Sequence, residues 1–201
     1  MTTLYYFHDP MCSWCWGYRP VADLLFSSLP DGIAVKKTLG GLAPDSDQPM
    51  PRAQRETIAG TWRRIQAMLG TDFNHEFWSE CEPRRSTYPA CRAVIAAAKQ
   101  QHADEMIVAV QNAYFLEARN PSDLATLLSL AGQLGLDTAA FSEDMASVDT
   151  EAELQRQLTF TREAGVRGFP SLALEKNGQL IHLDVDYESH ESTLNMILRA
   201  L

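Results

Sequence analysis

The stretch Asp9-Pro10-Met11-Cys12-Ser13-Trp14-Cys15-Trp16-Gly17 contains two cysteines separated by two residues, and it lies at a change of local structure. The apolar and aromatic run Thr3–His8 comes before it and predicts a buried strand, which the Asp9-Pro10 pair ends. Apolar residues at helical spacing come after it and predict a helix from about Cys12 to Ser28. The cysteine pair is therefore expected where a strand turns into a helix.

The segments that follow extend this start into a mixed pattern. Ile33–Leu39 predicts a second strand, so the first 40 residues form a β-α-β unit with a parallel pair of strands. Only helical patterns follow up to residue 147. We expect Asn120 to cap the fourth of these helices, with Pro121 as its first residue. The five helices are predicted at roughly 52–69, 87–101, 103–118, 122–134 and 138–146.

The last quarter of the chain returns to mixed structure. Thr150 fits the start of a helix in a capping box, and Gly165 fits the end of that helix. Two strands joined by a tight Asn177-Gly178 turn are expected next, and a final amphipathic helix ends the chain. These three elements are predicted at Ser171–Glu175, Leu180–Val185 and His190–Leu201.

These elements predict an α/β protein in two parts. Residues 1–40 and 148–201 together have the β-α-β … α-β-β-α order of a thioredoxin-like fold and form one discontinuous domain. Residues 41–147 form a large all-helical insertion domain. The chain has 201 residues, of which 45% are hydrophobic, and this is enough material for both parts.

Charge and hydropathy disfavour several classes of partner. The chain has 17 basic and 26 acidic residues, a net charge of −9, which opposes binding to the phosphates of nucleic acids. No run of apolar residues approaches the roughly 18–20 that a membrane-spanning helix needs. The N-terminal residues lack the features of a secretory signal, so we expect a cytoplasmic protein with no membrane or nucleic-acid partner. The sequence makes no prediction of oligomeric state.

A Cys-x-x-Cys pair at the start of a helix is suited to thiol–disulfide exchange. The unpaired N–H groups and the partial positive charge of the helix N-terminus favour a thiolate, the attacking species, on the first sulfur. We therefore expect Cys12 to be the nucleophile and Cys15, one turn further on, to resolve the mixed disulfide. The redox-active Cys12–Cys15 disulfide is then the reactive group, and we expect no other cofactor.

A zinc site is the main alternative for these cysteines, because Cys-x-x-Cys is also half of a common tetrahedral zinc site. Cys81 and Cys91 form no second pair of this kind and no histidine cluster joins them, so we expect no metal. Cys91 lies on an apolar helix face and is predicted to be a buried core thiol. Cys81 lies between Glu80 and Glu82, whose charges disfavour a thiolate.

A second motif is Val166-Arg167-Gly168-Phe169-Pro170-Ser171. An X-Pro bond directly before a strand is a candidate cis peptide bond, although a trans proline at the start of a strand is common. Together with the cysteine pair and the fold order, the motif favours cis. If Pro170 packs opposite Cys12, the backbone of Phe169 is free to pair with an extended substrate.

The two motifs and the helical insertion resemble the DsbA-like family of the thioredoxin superfamily, in particular its subgroup of predicted cytoplasmic dithiol–disulfide isomerases. The resemblance implies a protein-disulfide oxidoreductase or isomerase whose partners are protein thiols and disulfides or glutathione. It also implies that Cys12 attacks, that Cys15 resolves, and that cis-Pro170 faces them. The Ser13-Trp14 dipeptide differs from the Pro-His dipeptide of the strongly oxidising periplasmic members, so the resemblance does not fix the oxidising strength.

Residues around the two motifs are further candidates for the site. Trp14, Gly168 and Phe169 are candidates for substrate binding, because aromatic side chains near the thiols offer an apolar docking surface. Ser13 and His8 are candidates for tuning the reactive thiolate, although a histidine at the end of a strand is more often simply exposed.

Two other functions occur on this inserted fold. Glutathione-dependent transferases and isomerases of the kappa class typically have a serine where Cys12 stands, and the cysteine pair argues against them. Non-catalytic adaptors that present a transcription factor to a protease are the other alternative, and they would not depend on Cys12 and Cys15. Five arginines are candidates for holding glutathione carboxylates: Arg52, Arg63, Arg64, Arg84 and Arg85.

Overall fold

The computed structural model describes residues 2–201 and contains a four-stranded sheet in the order β2-β1-β3-β4. β1 is parallel to β2 and antiparallel to β3, and β3 is antiparallel to β4. The strands are β1 (Thr2–His8), β2 (Ile33–Leu39), β3 (Ser171–Lys176) and β4 (Gln179–Leu183). The order and directions confirm the predicted thioredoxin-like α/β fold.

Nine helices accompany this sheet within residues 2–201. α1 connects β1 with β2, six helices lie between β2 and residue 147, and α8 leads towards β3. They are α1 (Ser13–Ser27), α2 (Arg52–Leu69), α3 (Phe77–Glu80), α4 (Tyr88–Lys99), α5 (Ala103–Phe115), α6 (Leu124–Gln133), α7 (Thr138–Met145), α8 (Val148–Glu163) and α9 (His190–Ala200). None of the helices in this part of the chain is long and apolar enough to cross a membrane.

Alternating residues of β1 cover both faces of the sheet. Leu4 and Tyr6 point into a cluster with Tyr18 and Leu25 of α1. Phe7 points the other way, into a cluster with residues of α8 and β3. Because successive side chains of a strand point to opposite faces, one aromatic strand anchors helices on both sides. β1 is therefore a central strand, and the cysteine motif begins one turn after it ends.

An aromatic cluster joins the helical insertion to the start of α1. Trp62 of α2 is fully buried and stacks on Phe73 with ring centroids 5.1 Å apart. Phe115 of α5 lies 5.4 Å from Trp62 and stacks on Trp16 of α1 at 5.5 Å. Buried aromatic pairs contribute about 0.5–1.5 kcal/mol beyond their area burial. This cluster therefore holds the insertion against the helix that carries both cysteines.

One short helix was missed and two local expectations were wrong. The one-turn helix α3 was not predicted, because four residues are too few to show a helical period. Asn120 does not cap α6: its Oδ1 accepts from Ser122 N at 3.1 Å in a local turn, so Pro121 precedes the helix, which begins after Asp123.

The second wrong expectation concerns the start of α8. The helix begins at Val148 with Ser147 as its cap, so Thr150 lies in the first turn and donates its N–H to Ser147 Oγ at 3.2 Å. The capping residue is thus three positions earlier than expected. The predicted end of α8 is confirmed, because Gly165 has a φ of +74° directly after the last residues of the helix.

Candidate active site

Cys12 is the N-cap of α1 in the structure. Its backbone is extended, with φ −77° and ψ 116°, and its Sγ accepts a hydrogen bond from Cys15 N at 3.3 Å. The sulfur thus lies at the end of the helix where N–H groups and the macrodipole favour a negative charge. Only 4% of Cys12 is exposed, and its backbone N–H donates to Asp9 O at 3.0 Å.

Cys15 lies one turn deeper and is completely buried. Burial is the main cause that raises the pKa of its thiol well above the usual value, and the neighbouring Cys12 raises it further. A thiol with a pKa raised in this way stays protonated at neutral pH. The two sulfurs thus have different surroundings: Cys12 caps the N-terminus of α1, whereas Cys15 lies inside the helix and is completely buried.

The Phe169–Pro170 peptide bond is cis, and it brings the second motif against the first. Cys12 Sγ donates to the carbonyl oxygen of Phe169 at 3.4 Å. The Phe169 ring packs on Gly40, where an added Cβ would lie 1.9 Å from the ring's Cζ. Gly40 in turn donates its N–H to His8 O at 2.7 Å. No local pattern in the chain indicates this role of Gly40.

Asp9 joins the motif to the helical insertion, beyond its predicted place in the pair that ends β1. Its carboxyl group is fully buried and accepts from Met11 N at 2.8 Å, Leu42 N at 2.7 Å and Thr87 Oγ1 at 2.7 Å. Cys91 Sγ lies 3.8 Å from the same carboxyl group. Burial raises the pKa of Asp9, and these hydrogen bonds partly offset that effect.

The two residues between the cysteines are held by side chains outside the motif. Ser13 Oγ accepts from Trp62 Nε1 at 2.9 Å, which fixes the hydroxyl against α2. Trp14 is half-buried, with its ring edge-on to Tyr187 at 5.3 Å and the Arg64 guanidinium 5.5 Å from the ring centroid. Trp14 and Phe169 are thus both partly exposed, and Gly168 is exposed beside Phe169.

Two tyrosines beside the thiols have no counterpart in the sequence predictions. Burial is the main cause that raises the pKa of Tyr6 well above its usual value, followed by the charges of Cys15 and Cys12. Burial and the same two cysteines also raise the pKa of Tyr187. The phenols therefore stay protonated and provide O–H groups at the apolar wall of the site. A tyrosine in a strand or loop has many structural uses, so no sequence signal distinguishes these two.

A histidine at the end of a strand is usually exposed, but His8 is buried. It is 1% exposed, and its ring stacks on Tyr6 with centroids 5.1 Å apart and planes 2° apart. Burial, and to a smaller degree Lys37, lower the pKa of His8 to about 3. The ring is therefore neutral at pH 7 and supplies no positive charge to a thiolate. This placement gives no support to a thiolate-tuning role for His8.

The remaining cysteines make no contact with the Cys12 or Cys15 sulfur among the hydrogen bonds of residues 2–201. Cys91 is fully buried, which confirms that it is a core thiol, and burial followed by Asp9 raises its pKa well above the usual value. Cys81 donates to Ala118 O at 2.9 Å, and burial, followed by Asp123 and Glu80, raises its pKa. Within residues 2–201, no group of three or more His, Cys, Asp or Glu side chains is arranged to hold a metal ion.

Of the five arginines proposed for glutathione, the structure brings only Arg64 to the aromatic wall of the motif within the described part of the chain. Arg52 pairs with Glu56 in the first turns of α2, at 2.8 Å. Arg84 pairs with Asp123 and donates to Ser122 O. Arg52 and Arg84 thus already have partners within the protein, and their positions give no support to glutathione binding.

Solved structures of similar proteins cover almost the whole chain. A proposed protein disulfide isomerase from Nitrosomonas europaea has a TM-score of 0.85 and 26% identity, over 99% of this chain and 96% of that one. The cytosolic disulfide reductase DsbM from Pseudomonas aeruginosa has a TM-score of 0.79 and 26% identity, over 99% of this chain and all of that one. DsbM has also been solved with GSH.

Curated relatives are also similar in sequence. The ClpXP adapter protein SpxH from Bacillus subtilis is 26% identical over 205 residues, and SpxH from Halalkalibacterium halodurans is 25% identical over 174 residues. These matches cover 95% and 84% of this chain but only 66% and 56% of the relatives. The chain thus spans at most about two thirds of their length. The family model Thioredoxin_5, described as thioredoxin, matches residues 5–189, so the chain belongs to this thioredoxin family and resembles its DsbA-like and DsbM-like oxidoreductases.

Proposed function

We propose that this protein is a thiol–disulfide oxidoreductase that reduces or isomerises disulfides of proteins or of glutathione through Cys12 and Cys15. One observation carries the proposal: the Cys12 sulfur lies at the N-terminus of α1, between Cys15 N and the carbonyl oxygen of Phe169. The N-terminus of the helix directs N–H groups at the sulfur that is proposed to attack, and the backbone before Pro170 lies beside it, where an extended substrate can pair.

The exchange proceeds in two balanced steps. The Cys12 thiolate attacks one sulfur of a substrate disulfide, so a mixed disulfide forms and the other substrate sulfur leaves as a thiolate. Cys15 then loses its proton and attacks Cys12 Sγ, which releases the second substrate thiolate and leaves a Cys12–Cys15 disulfide. Two electrons pass from the protein to the substrate, and two molecules of a thiol such as glutathione then reduce the Cys12–Cys15 disulfide and leave as glutathione disulfide.

Burial of Cys15 supports the order of these steps. Its thiol has a raised pKa and its backbone N–H bonds Cys12 Sγ, so it is held within reach of that sulfur without competing as the first nucleophile. Cis-Pro170, Gly168 and Phe169 are assigned to the substrate backbone, and Trp14 to the substrate side chains. Ser13, fixed by Trp62, is assigned a positioning role for the thiolate.

The proposal also covers the direction of the redox reaction and the cellular location of the protein. The similar DsbM is a cytosolic disulfide reductase, and a cytoplasmic place for this chain would favour its dithiol form and hence reduction or isomerisation. The proposed reactive group is the Cys12–Cys15 pair, with no further cofactor. Protein thiols and disulfides, or glutathione, are the proposed partners.

The decisive experiment compares cysteine variants in insulin reduction with glutathione as the reductant. Cys12→Ser should abolish turnover, whereas Cys15→Ser should accumulate a mixed disulfide with the substrate that mass spectrometry detects. Cys81→Ser is the matched control, because its thiol lies outside the motif, and it should retain full activity. Full activity in Cys12→Ser would refute the mechanism.

A second candidate function is that of a ClpXP adapter, and the similarity to SpxH is the observation that favours it. An adapter binds through its surface and needs no cysteine chemistry. The discriminating variant is therefore Cys12→Ser combined with Cys15→Ser. If this double variant binds ClpX and accelerates degradation of a client as well as the wild type does, the adapter function holds; if binding is absent in both, it does not.

A further inference from the structure

A cavity of about 560 Å³ lies between β1, α1 and α5, and neither Cys12 nor Cys15 lines it. A second cavity of about 470 Å³ shares four of its lining residues. The shared residues are His8, Lys37, Asp104 and Ile107. Lys37 Nζ and Asp104 Oδ1 are 2.9 Å apart, so an ion pair between β2 and α5 borders both cavities.

His8 is the unusual group in this wall. Its side chain is 1% exposed, yet neither Nδ1 nor Nε2 has a hydrogen-bond partner among residues 2–201. Buried polar groups are nearly always paired, because an unpaired one costs about 1–3 kcal/mol. The ring is neutral, since burial lowers the pKa of His8 to about 3, and it therefore offers one donor and one acceptor.

The rest of the larger cavity indicates which molecules fit. Its body is apolar, with contributions from Phe26, Ile107 and Val108. Its basic residues are already engaged: Lys37 pairs with Asp104, and Arg19 lies 4.7 Å from the Trp16 ring and donates to Gln111. Asp23 and Glu105 add further negative charge to the lining. This charge balance disfavours anions, and the neutral His8 ring offers a ligand hydrogen bonds without a charge, which an uncharged molecule can use.

We propose that this cavity binds a small uncharged molecule with an apolar, ring-sized body and one hydroxyl or amide group that hydrogen-bonds His8. The volume is within the range of ligand pockets, and one buried polar group in an apolar wall is how such pockets orient a ligand. The bound molecule would also meet Tyr6, whose ring stacks on His8 and which lies beside the thiols. The ligand site is thus separate from the thiols but shares a wall with them.

Naphthol is a suitable probe, because it joins an apolar bicyclic body to one hydroxyl group. It should bind the full-length protein saturably and shift the ring-nitrogen resonances of His8 in an NMR titration. The anionic analogue naphthoate should bind at least about tenfold more weakly, because the cavity offers it no unpaired cation. His8→Phe, which keeps the ring and removes both nitrogens, should weaken naphthol binding by about tenfold.

Two further variants separate this site from others. Val108→Trp should weaken binding by narrowing the cavity, whereas Trp14→Ala should leave it unchanged, because Trp14 lines the thiol site and not this cavity. An unshifted His8 resonance in the wild type would overturn the proposal without any variant. Equal affinity of naphthol for His8→Phe and the wild type, or equal affinity of naphthol and naphthoate, would also overturn it.

Discussion

The carbonyl oxygen of Phe169 lies 3.4 Å from Cys12 Sγ, although 157 positions separate the two residues in the chain. This contact depends on the packing of the Phe169 ring on Gly40, which follows β2. Gly40 is itself tied to β1, because its N–H donates to His8 O at 2.7 Å. The distance between the nucleophile and the proposed substrate-binding backbone is thus set by a residue with no side chain.

Gly40→Ala should therefore impair the enzyme. The new Cβ would lie 1.9 Å from Phe169 Cζ, so the ring must shift, and we expect the carbonyl oxygen beside Cys12 to shift with it. We expect kcat/KM for disulfide reduction to fall by about tenfold or more. Gly60→Ala on α2 is the control, because the nearest atom to its Cβ is 3.9 Å away, and its activity should be unchanged.

A double variant tests the cause of this loss. In Gly40→Ala combined with Phe169→Ala, the clash is absent, so kcat/KM should return to the value of Phe169→Ala alone. A double variant that is much less active than Phe169→Ala would show that Gly40 acts by another route.

Asp9→Asn should destabilise the protein. The carboxyl oxygens of Asp9 accept from Met11, Leu42 and Thr87, and an amide has only one oxygen for these donors. Leaving a buried donor unpaired costs about 1–3 kcal/mol, which should appear in the free energy of unfolding measured in urea. The exposed Asp31→Asn is the control and should change stability by less than about 0.5 kcal/mol. If Asp9→Asn left the free energy of unfolding unchanged, these three hydrogen bonds would not stabilise the segment between β1 and α1.

The parts of the site that could be predicted are those with a local pattern. Thr3–His8 is a short apolar and aromatic run typical of a buried strand, and Cys12 follows it at the start of an apolar-periodic helix, so short-range rules were enough. The Asn177-Gly178 turn between β3 and β4 is another local signal, and Asn177 has the positive φ, +52°, that such a turn needs. Each of these features depends on a few neighbouring residues.

The remaining parts depend on contacts that no local pattern encodes. Asp9 meets Thr87, 78 positions away, only because the insertion folds back over the motif. Gly40 and Tyr187 reach the thiol site in the same way, through packing of distant segments. His8 was also misjudged, because the end of a strand is usually solvated, whereas here α5 covers it.

Acidification should destabilise the folded state through His8. Its pKa is about 3 in the folded protein and 6.5 without perturbation, so below pH 6.5 the unfolded chain binds a proton that the folded chain does not. Stability from this group is therefore complete above pH 6.5 and falls as the pH drops towards 3. From pH 7 to pH 5 the loss should be about 2 kcal/mol.

The measurement is urea unfolding at pH 7 and pH 5 for the wild type and His8→Phe. The variant has no imidazole at this position, so its stability should fall by about 2 kcal/mol less over this interval. His182→Gln replaces an exposed histidine of β4 and should behave like the wild type. The same pH dependence in His8→Phe and the wild type would show that folding does not lower the pKa of His8.

Arg64→Gln should weaken the interaction with glutathione, if the proposed oxidoreductase function is correct. The Arg64 guanidinium lies 5.5 Å from the centroid of Trp14, so it is held beside the motif, where it can pair with a glutathione carboxylate. We expect KM for glutathione to rise by about tenfold with little change in kcat, because the residue binds substrate and does not touch the sulfurs. Arg63→Gln is the matched control: Arg63 is equally charged and exposed but lies about 100° around α2, so its KM should stay within about twofold of the wild type. Equal increases of KM in the two variants would indicate that any positive charge on α2 attracts glutathione, and would show that Arg64 has no specific role in binding it.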